Sequence, residues 1–127
     1  MDNFKRVVDT YGHLHGSQTL QEVAATIKEI LIEPAYGVAY GGDEFVIVLP
    51  GYGKNQAIDK VEEIRYRMSQ TVYLSNQGLE VSVRASFGIA TYPEDSANMT
   101  ELLALADKAM FDIKKTGKNG VKSSNKQ

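Results

Sequence analysis

The sequence predicts a single-domain α/β sandwich in which a largely antiparallel central sheet is flanked by helices. The domain spans residues 1–122, and a polar tail follows at 123–127. Three observations predict it. Hydrophobic periods of helical and strand type alternate along the chain in the order helix, hairpin, helix, strand, helix, strand. A chain of 127 residues can bury one core but not two. With 43% hydrophobic and 24% charged residues, the composition is that of an ordinary globular domain.

The first helix begins near Phe4. It becomes clear after Gly16-Ser17, where Leu20, Val23, Ala24, Ile27, Ile30 and Leu31 recur at three- and four-residue steps. Pro34 ends it. Gly37 to Tyr40 reads as a short strand, and Gly41-Gly42 supplies the positive φ angles of a tight hairpin. Phe45 to Leu49 returns as an apolar strand of the kind buried on both faces. Asn55 to Thr71 is a second amphipathic helix, with Ala57, Val61, Ile64 and Met68 on one stripe. Leu79 to Ile89 alternates apolar and polar residues as a half-buried strand does. Asn98 and Glu101 form a capping-box pattern that opens a third helix carrying Leu102, Ala106, Ala109 and Ile113. Gly117 suits its C-terminus, and a last strand lies near Gly120-Val121.

Several function classes recede on composition alone. A formal net charge of −2 gives no general attraction to nucleic acid or anionic membranes. No cysteine is present, so there is no disulfide framework and no thiolate zinc site, which suits a reducing cytoplasm. No apolar run approaches membrane-spanning length, and no signal-peptide pattern is seen.

The residues with chemical promise are Asp43 and Glu44, just past the two glycines. Two carboxylates on a rigid turn suit Mg²⁺, a hard cation that takes oxygen ligands and keeps several waters. Such an ion can bridge nucleotide phosphates. The tetrapeptide Gly41-Gly42-Asp43-Glu44 alone reads equally well as a polar hairpin tip. Lys114, Lys115 and Lys118 at a helix end are favoured by the helix dipole without any ligand, and Lys5 alone is a solvated surface lysine. His13 and His15 make a weak metal pair.

Several motifs in register tip the balance. They are Tyr40-Gly41-Gly42-Asp43-Glu44-Phe45; Asp2-Asn3-Phe4-Lys5 with Asp9-Thr10-Tyr11-Gly12-His13-Leu14 and Gly16; Ser86-Phe87-Gly88-Ile89-Ala90; Ala106 to Phe111; and Lys114 with Gly117-Lys118-Asn119. In these the chain resembles the GGDEF family of diguanylate cyclases over nearly its whole length. The resemblance implies a nucleotidyl-cyclase or polymerase-palm-like fold. It implies an enzyme that condenses two GTP molecules into cyclic di-GMP, one GTP on each subunit of a homodimer. It also implies Mg²⁺ or Mn²⁺, a cytoplasmic location, and an N-terminal sensory domain in the parent protein. In the family pattern Asp43 and Glu44 fall on the metal-binding, hydroxyl-activating positions. Met1 falls where a backbone carbonyl meets the metal. Asn3 and Phe4 fall where the backbone meets the triphosphate, with Lys5, Lys114 and Lys118 on phosphate charge. Gly41 and Gly42 admit the nucleotide, and His13 lies beside it. Lys118 stands where arginine is usual, which keeps charge but loses the bidentate fork.

The chain also departs from that pattern. The family has a strand and a metal-binding aspartate just ahead of Met1. The resemblance therefore implies a start in mid-motif, a gap in the sheet, and poor activity of this stretch taken alone. Val8 and Ser17 occupy the guanine-reading positions, usually asparagine and aspartate. Serine can donate or accept, so it tolerates adenine as well, as in a subgroup making mixed cyclic AMP-GMP. Valine equally suits a catalytically silent domain that binds nucleotide or a partner and regulates a neighbour, or a plain dimerisation module. Ile32 and Ala35 replace the R-x-x-D product-inhibition motif, and Ala39 replaces an arginine.

Overall fold

A computed structural model describes residues 1–124. The order is α1 (Phe4–Tyr11), α2 (His13–Ile30), β1 (Tyr36–Ala39), β2 (Phe45–Val48), α3 (Lys54–Gln70), a single 3-10 turn (Ser75–Gln77), β3 (Phe87–Ile89), α4 (Met99–Lys115) and β4 (Val121–Ser123). The α/β class and the element order match the sequence pattern. Within it, α2 starts at His13 rather than after Ser17, because α1 and α2 meet directly at Gly12. Gly16 is then buried inside the helix, where a Cβ would meet Val8 Cγ2 at 2.8 Å and Phe4 Cζ at 3.4 Å.

The strands form two separate ladders. β1 and β2 pair antiparallel, from Tyr36 opposite Val48 to Ala39 opposite Phe45. β3 and β4 pair parallel, from Phe87 opposite Val121 to Ile89 opposite Ser123. A parallel pair needs a crossover, and α4 supplies it. The sheet is thus less uniformly antiparallel than the sequence suggested. Among the described residues no ladder joins β2 to β3, so the sheet is interrupted where the family resemblance implies a gap.

The long strand expected over Leu79–Ile89 is paired as strand only at Phe87–Ile89, plus one isolated bridge between Tyr73 and Val81. The alternation itself is real: Val81, Val83 and Ala85 are buried while Glu80, Ser82 and Arg84 are exposed. Alternation chooses faces, but a ladder also needs a neighbouring backbone to bond. Ser86 breaks the pattern and is buried, because its hydroxyl donates to Asp2 Oδ1 at 2.8 Å.

The main core gathers Val23, Ile27 and Ile30 from α2, Ile64 and Met68 from α3, and Tyr73, Leu74, Val81, Val83 and Ala85. Burial of the α3 stripe follows its helical spacing, since Ala57, Val61, Ile64 and Met68 are all buried. β2 is only half-buried, not covered on both faces, and β1 is exposed throughout, as befits a two-stranded ribbon with open sides. Of the expected α4 stripe only Ala109 is buried. Asn98 caps that helix, accepting from the Glu101 N–H at 3.0 Å.

Two residues read as tail belong to the fold. Ser123 lies in β4, and the Ser124 N–H donates to Ile89 O at 2.6 Å. Lys54 Nζ ties Ser124 O at 2.9 Å and Asp95 Oδ1 at 2.8 Å. A strand is held through its backbone, so polar side chains do not betray the end of one. Asn125 to Gln127 of the expected tail lie outside the described residues.

Gly88 fixes how closely α4 lies on β3. A Cβ there would collide with the backbone at Ala106 O and stand 2.6 Å from Met110 N. Gly88→Ala is therefore expected to lower the unfolding free energy by about 1–3 kcal/mol or more through overpacking. A urea titration checks this, and an unchanged midpoint would mean that α4 can simply move away.

Candidate active site

The signature residues form the turn between β1 and β2. The Tyr40 N–H donates to Glu44 O at 2.8 Å and the Glu44 N–H to Gly41 O at 3.0 Å. Gly41 and Gly42 take φ of 86° and 53°, a region costly for residues with a Cβ. Nothing lies within 4 Å of a Cβ built on either, so the space above the turn is open. Asp43 and Glu44 are half-buried on this turn.

The first residues of the chain run beside the turn and join it to the segment leading into β3. The Met1 ammonium donates to Asp43 O at 3.0 Å and lies 3.7 Å from Asp43 Oδ2. The Asp2 N–H donates to Arg84 O at 2.8 Å. The Asp2 carboxylate accepts from the Ser86 hydroxyl and, through Oδ2, from the Asn119 N–H, both at 2.8 Å. Asn3 donates from Nδ2 to Ser82 O at 2.7 Å and accepts the Arg84 N–H at 3.1 Å. Asn3 and Asp2 thus take the part of a neighbouring strand for residues 82–86.

Burial pulls the Met1 ammonium below its ordinary range. Asp43 opposes that pull, Lys114 reinforces it, and Asp2 and Glu44 oppose it more weakly. Met1, Asp2, Asp43, Glu44 and Lys114 therefore share one electrostatic neighbourhood. Among the described residues no three acidic or imidazole side chains gather into a metal cluster. The donor set is two carboxylates on a turn, with room for oxygen ligands and water, which suits Mg²⁺ better than a metal needing a full protein cage.

Other expected site residues are placed less tightly. Phe4 opens α1, and its ring lies over Gly16. Lys5 is exposed on α1, and Lys118 is exposed just beyond α4 with φ of 63°. Neither has a side-chain partner among the described residues. Lys114 is half-buried in the last turn of α4. His13 and Ser17 are exposed on the first turns of α2. His15 Nδ1 lies 2.8 Å from Gln18 Oε1. Val8 packs on Gly16 where α1 crosses α2. Two residues that shape the site carried no assigned role in the sequence, Asp2 and Asn119. Both stood inside quoted motifs, but their partners lie far along the chain.

Comparison with known proteins agrees with this architecture. The family model described as "Diguanylate cyclase, GGDEF domain" matches residues 1–120. The chain belongs to the GGDEF domain family. It is 34% identical over 127 residues to YhcK of Bacillus subtilis, a protein described as uncharacterised, covering all of this chain and 35% of that protein. It is 32% identical over 121 residues to diguanylate cyclase A of Treponema denticola, covering 95% of this chain and 32% of the relative. The chain thus spans about a third of the length of these curated relatives. Its fold matches the GGDEF domain of the Pseudomonas aeruginosa protein TpbB or YfiN with a TM-score of 0.90 at 32% identity, over 98% of this chain and 72% of that one.

Removing the Asp2 carboxylate strands the Asn119 N–H and frees the Ser86 hydroxyl. Asp2→Ala is expected to cost about 1–3 kcal/mol of stability. Asp2→Asn, which keeps one acceptor oxygen, should cost less. Denaturant unfolding of the pair checks the order, and equal losses would mean that only one of the two bonds contributes.

Proposed function

We propose that this domain is a nucleotidyl cyclase, most simply a diguanylate cyclase that condenses two GTP into cyclic di-GMP and two pyrophosphates. The observation that carries this is the glycine turn, which holds Asp43 and Glu44 in one electrostatic neighbourhood with Lys114 below open space. Asp43 and Glu44 would hold Mg²⁺ or Mn²⁺, with Met1 adding its carbonyl. When bound, the ion supplies charge stabilisation to the attacking and leaving oxygens. The 3′-hydroxyl of one GTP attacks the α-phosphorus of the other. A P–O bond would form, the bond from the α-phosphorus to the bridging oxygen would break, pyrophosphate would leave, and the hydroxyl proton would pass to a carboxylate of the turn. The reciprocal attack by the second GTP would close the ring and release the second pyrophosphate. Asn3 and Phe4 would approach the triphosphate through backbone N–H groups at the start of α1, which favours anions. Lys5, Lys114 and Lys118 would balance phosphate charge. Gly41 and Gly42 would let the nucleotide lie against the backbone, with His13 beside it.

The reaction needs two nucleotides facing each other, so the working unit would be a homodimer. Several curated relatives are diguanylate cyclases much longer than this chain, which supports a neighbouring sensory domain in the parent protein. No helix among the described residues is long and apolar enough to cross a membrane. A GTP substrate would suit a cytoplasmic location.

One observation favours a second reading within the first. Val8 is packed onto Gly16, and Ser17 is the exposed polar residue at the base-reading positions. A hydroxyl that both donates and accepts discriminates guanine from adenine weakly, so ATP would enter as well and give cyclic AMP-GMP. The same loss of contacts would also suit a silent domain that binds nucleotide and regulates its neighbour.

Incubation of the full-length protein with GTP and Mg²⁺ should give cyclic di-GMP by chromatography. Asp43→Ala or Glu44→Ala should lower the rate by about a hundredfold or more. GTP binding without any cyclic dinucleotide would replace the cyclase reading with the silent one. With GTP and ATP mixed, Ser17→Asp should raise the share of cyclic di-GMP by about tenfold, the worth of one good polar contact. An unchanged product ratio would remove Ser17 from base selection.

A further inference from the structure

The turn Gly117 to Asn119 after α4 is held in an uncommon shape. Lys118 and Asn119 take φ of 63° and 49°, two consecutive residues with a Cβ in the left-handed region. Asparagine enters this region more readily than most residues with a Cβ, lysine less so. Such a conformation persists where its surroundings over-determine it. The surroundings are visible. The Lys118 N–H donates to Ile113 O at 2.9 Å, and the Asn119 N–H donates to Asp2 Oδ2 at 2.8 Å. The Asn119 side-chain oxygen accepts from Arg65 Nη1 at 3.3 Å. Arg65 is itself clamped, with Nε at 3.1 Å and Nη2 at 2.9 Å from Glu62 Oε2. A planar guanidinium gripped on one edge presents its remaining N–H in a fixed direction. The chain of contacts runs from Glu62 through Arg65, Asn119 and Asp2 to Ser86. At its middle Lys118, itself one of the left-handed pair, projects a side chain with no partner among the described residues.

We infer that Arg65, with Asn119, is a positioning residue for substrate: it fixes the turn that aims Lys118 at the polyphosphate of the nucleotide. The inference rests on the cyclase reading above. It assigns Arg65 no contact with the substrate. Its effect reaches the nucleotide only through the direction of Lys118.

The test compares binding of GTP and guanosine monophosphate to the full-length protein, wild type and variant, by calorimetric titration with Mg²⁺. Arg65→Gln should weaken GTP about tenfold and leave the monophosphate unchanged. Lys118→Ala should do the same, and the double variant should lose no more than either single one, because both remove one interaction. Asn119→Gly keeps the left-handed geometry, removes the acceptor and should reproduce the Arg65→Gln loss, so a folding defect in one variant does not decide the matter. Losses that add, or equal weakening of both nucleotides, would make Arg65 a merely structural residue. GTP affinity unchanged in Arg65→Gln or Asn119→Gly would overturn the inference outright. A wild-type protein that binds no GTP would overturn the cyclase reading itself, and the inference with it.

Discussion

The Asp2 carboxylate is the joint on which the site depends. Its two oxygens accept from Ser86 and from Asn119, while its own N–H donates to Arg84 O. Those partners belong to the lead into β3 and to the turn between α4 and β4. The neighbouring Met1 meets Asp43 on the hairpin. One short stretch of chain therefore fastens the β1–β2 hairpin to the β3–β4 pair, which no β-ladder joins among the described residues. Hydrogen bonds to a charged acceptor are stronger than neutral ones, and leaving their donors unmade in a half-buried place is costly. A strand would do the same work with many weaker bonds. Here a few stronger ones do it, so the geometry of the site is sensitive to a single side chain.

That fastening has an electrostatic consequence. The hairpin brings two carboxylates to a place from which Lys114 is also felt. Uncompensated, two acidic groups on adjacent residues would repel. Together with the half-buried Lys114 they form a locally mixed field. Under the cyclase reading such a field would stabilise charge moving between oxygens, because the compensating group is already in place. The free lysines, Lys5 on α1 and Lys118 beyond α4, lie on other elements. The site is therefore assembled from four parts of the chain, and the packing of Gly88 against α4 fixes how far one of them stands from β3.

Much of this was legible in the sequence, for identifiable reasons. Ala57, Val61, Ile64 and Met68 announce a buried helical face because spacing alone determines which side chains share a side. The glycine pair announces its turn because few residues other than glycine hold φ near 86° cheaply. The pairing of residues 79–86 was not legible. Their alternation correctly sorts Val81, Val83 and Ala85 from Glu80, Ser82 and Arg84, yet no local signal says whether a backbone partner is present. Nor was the parallel register of β4 legible, since it follows from α4 crossing over the sheet rather than from residues 121–123. The bond from Arg65 to Asn119 spans 54 positions and no periodicity encodes it.

The two halves of the candidate site also differ in how firmly they are built. The proposed phosphate half rests on the backbone turn at Gly41-Gly42 and on lysines, of which Lys5 and Lys118 have no side-chain partner among the described residues. Its chemistry would serve any nucleoside triphosphate, because every such substrate carries the same phosphates. The base half rests on the crossing of α1 and α2. There Val8 is used for packing against Gly16, where the family pattern would place a polar reader. Val8 is half-buried at that crossing, while Ser17 is exposed. Under the cyclase reading, base choice would therefore be tuned at residue 17 without disturbing the core, and the phosphate chemistry would be kept while the choice of nucleotide drifts.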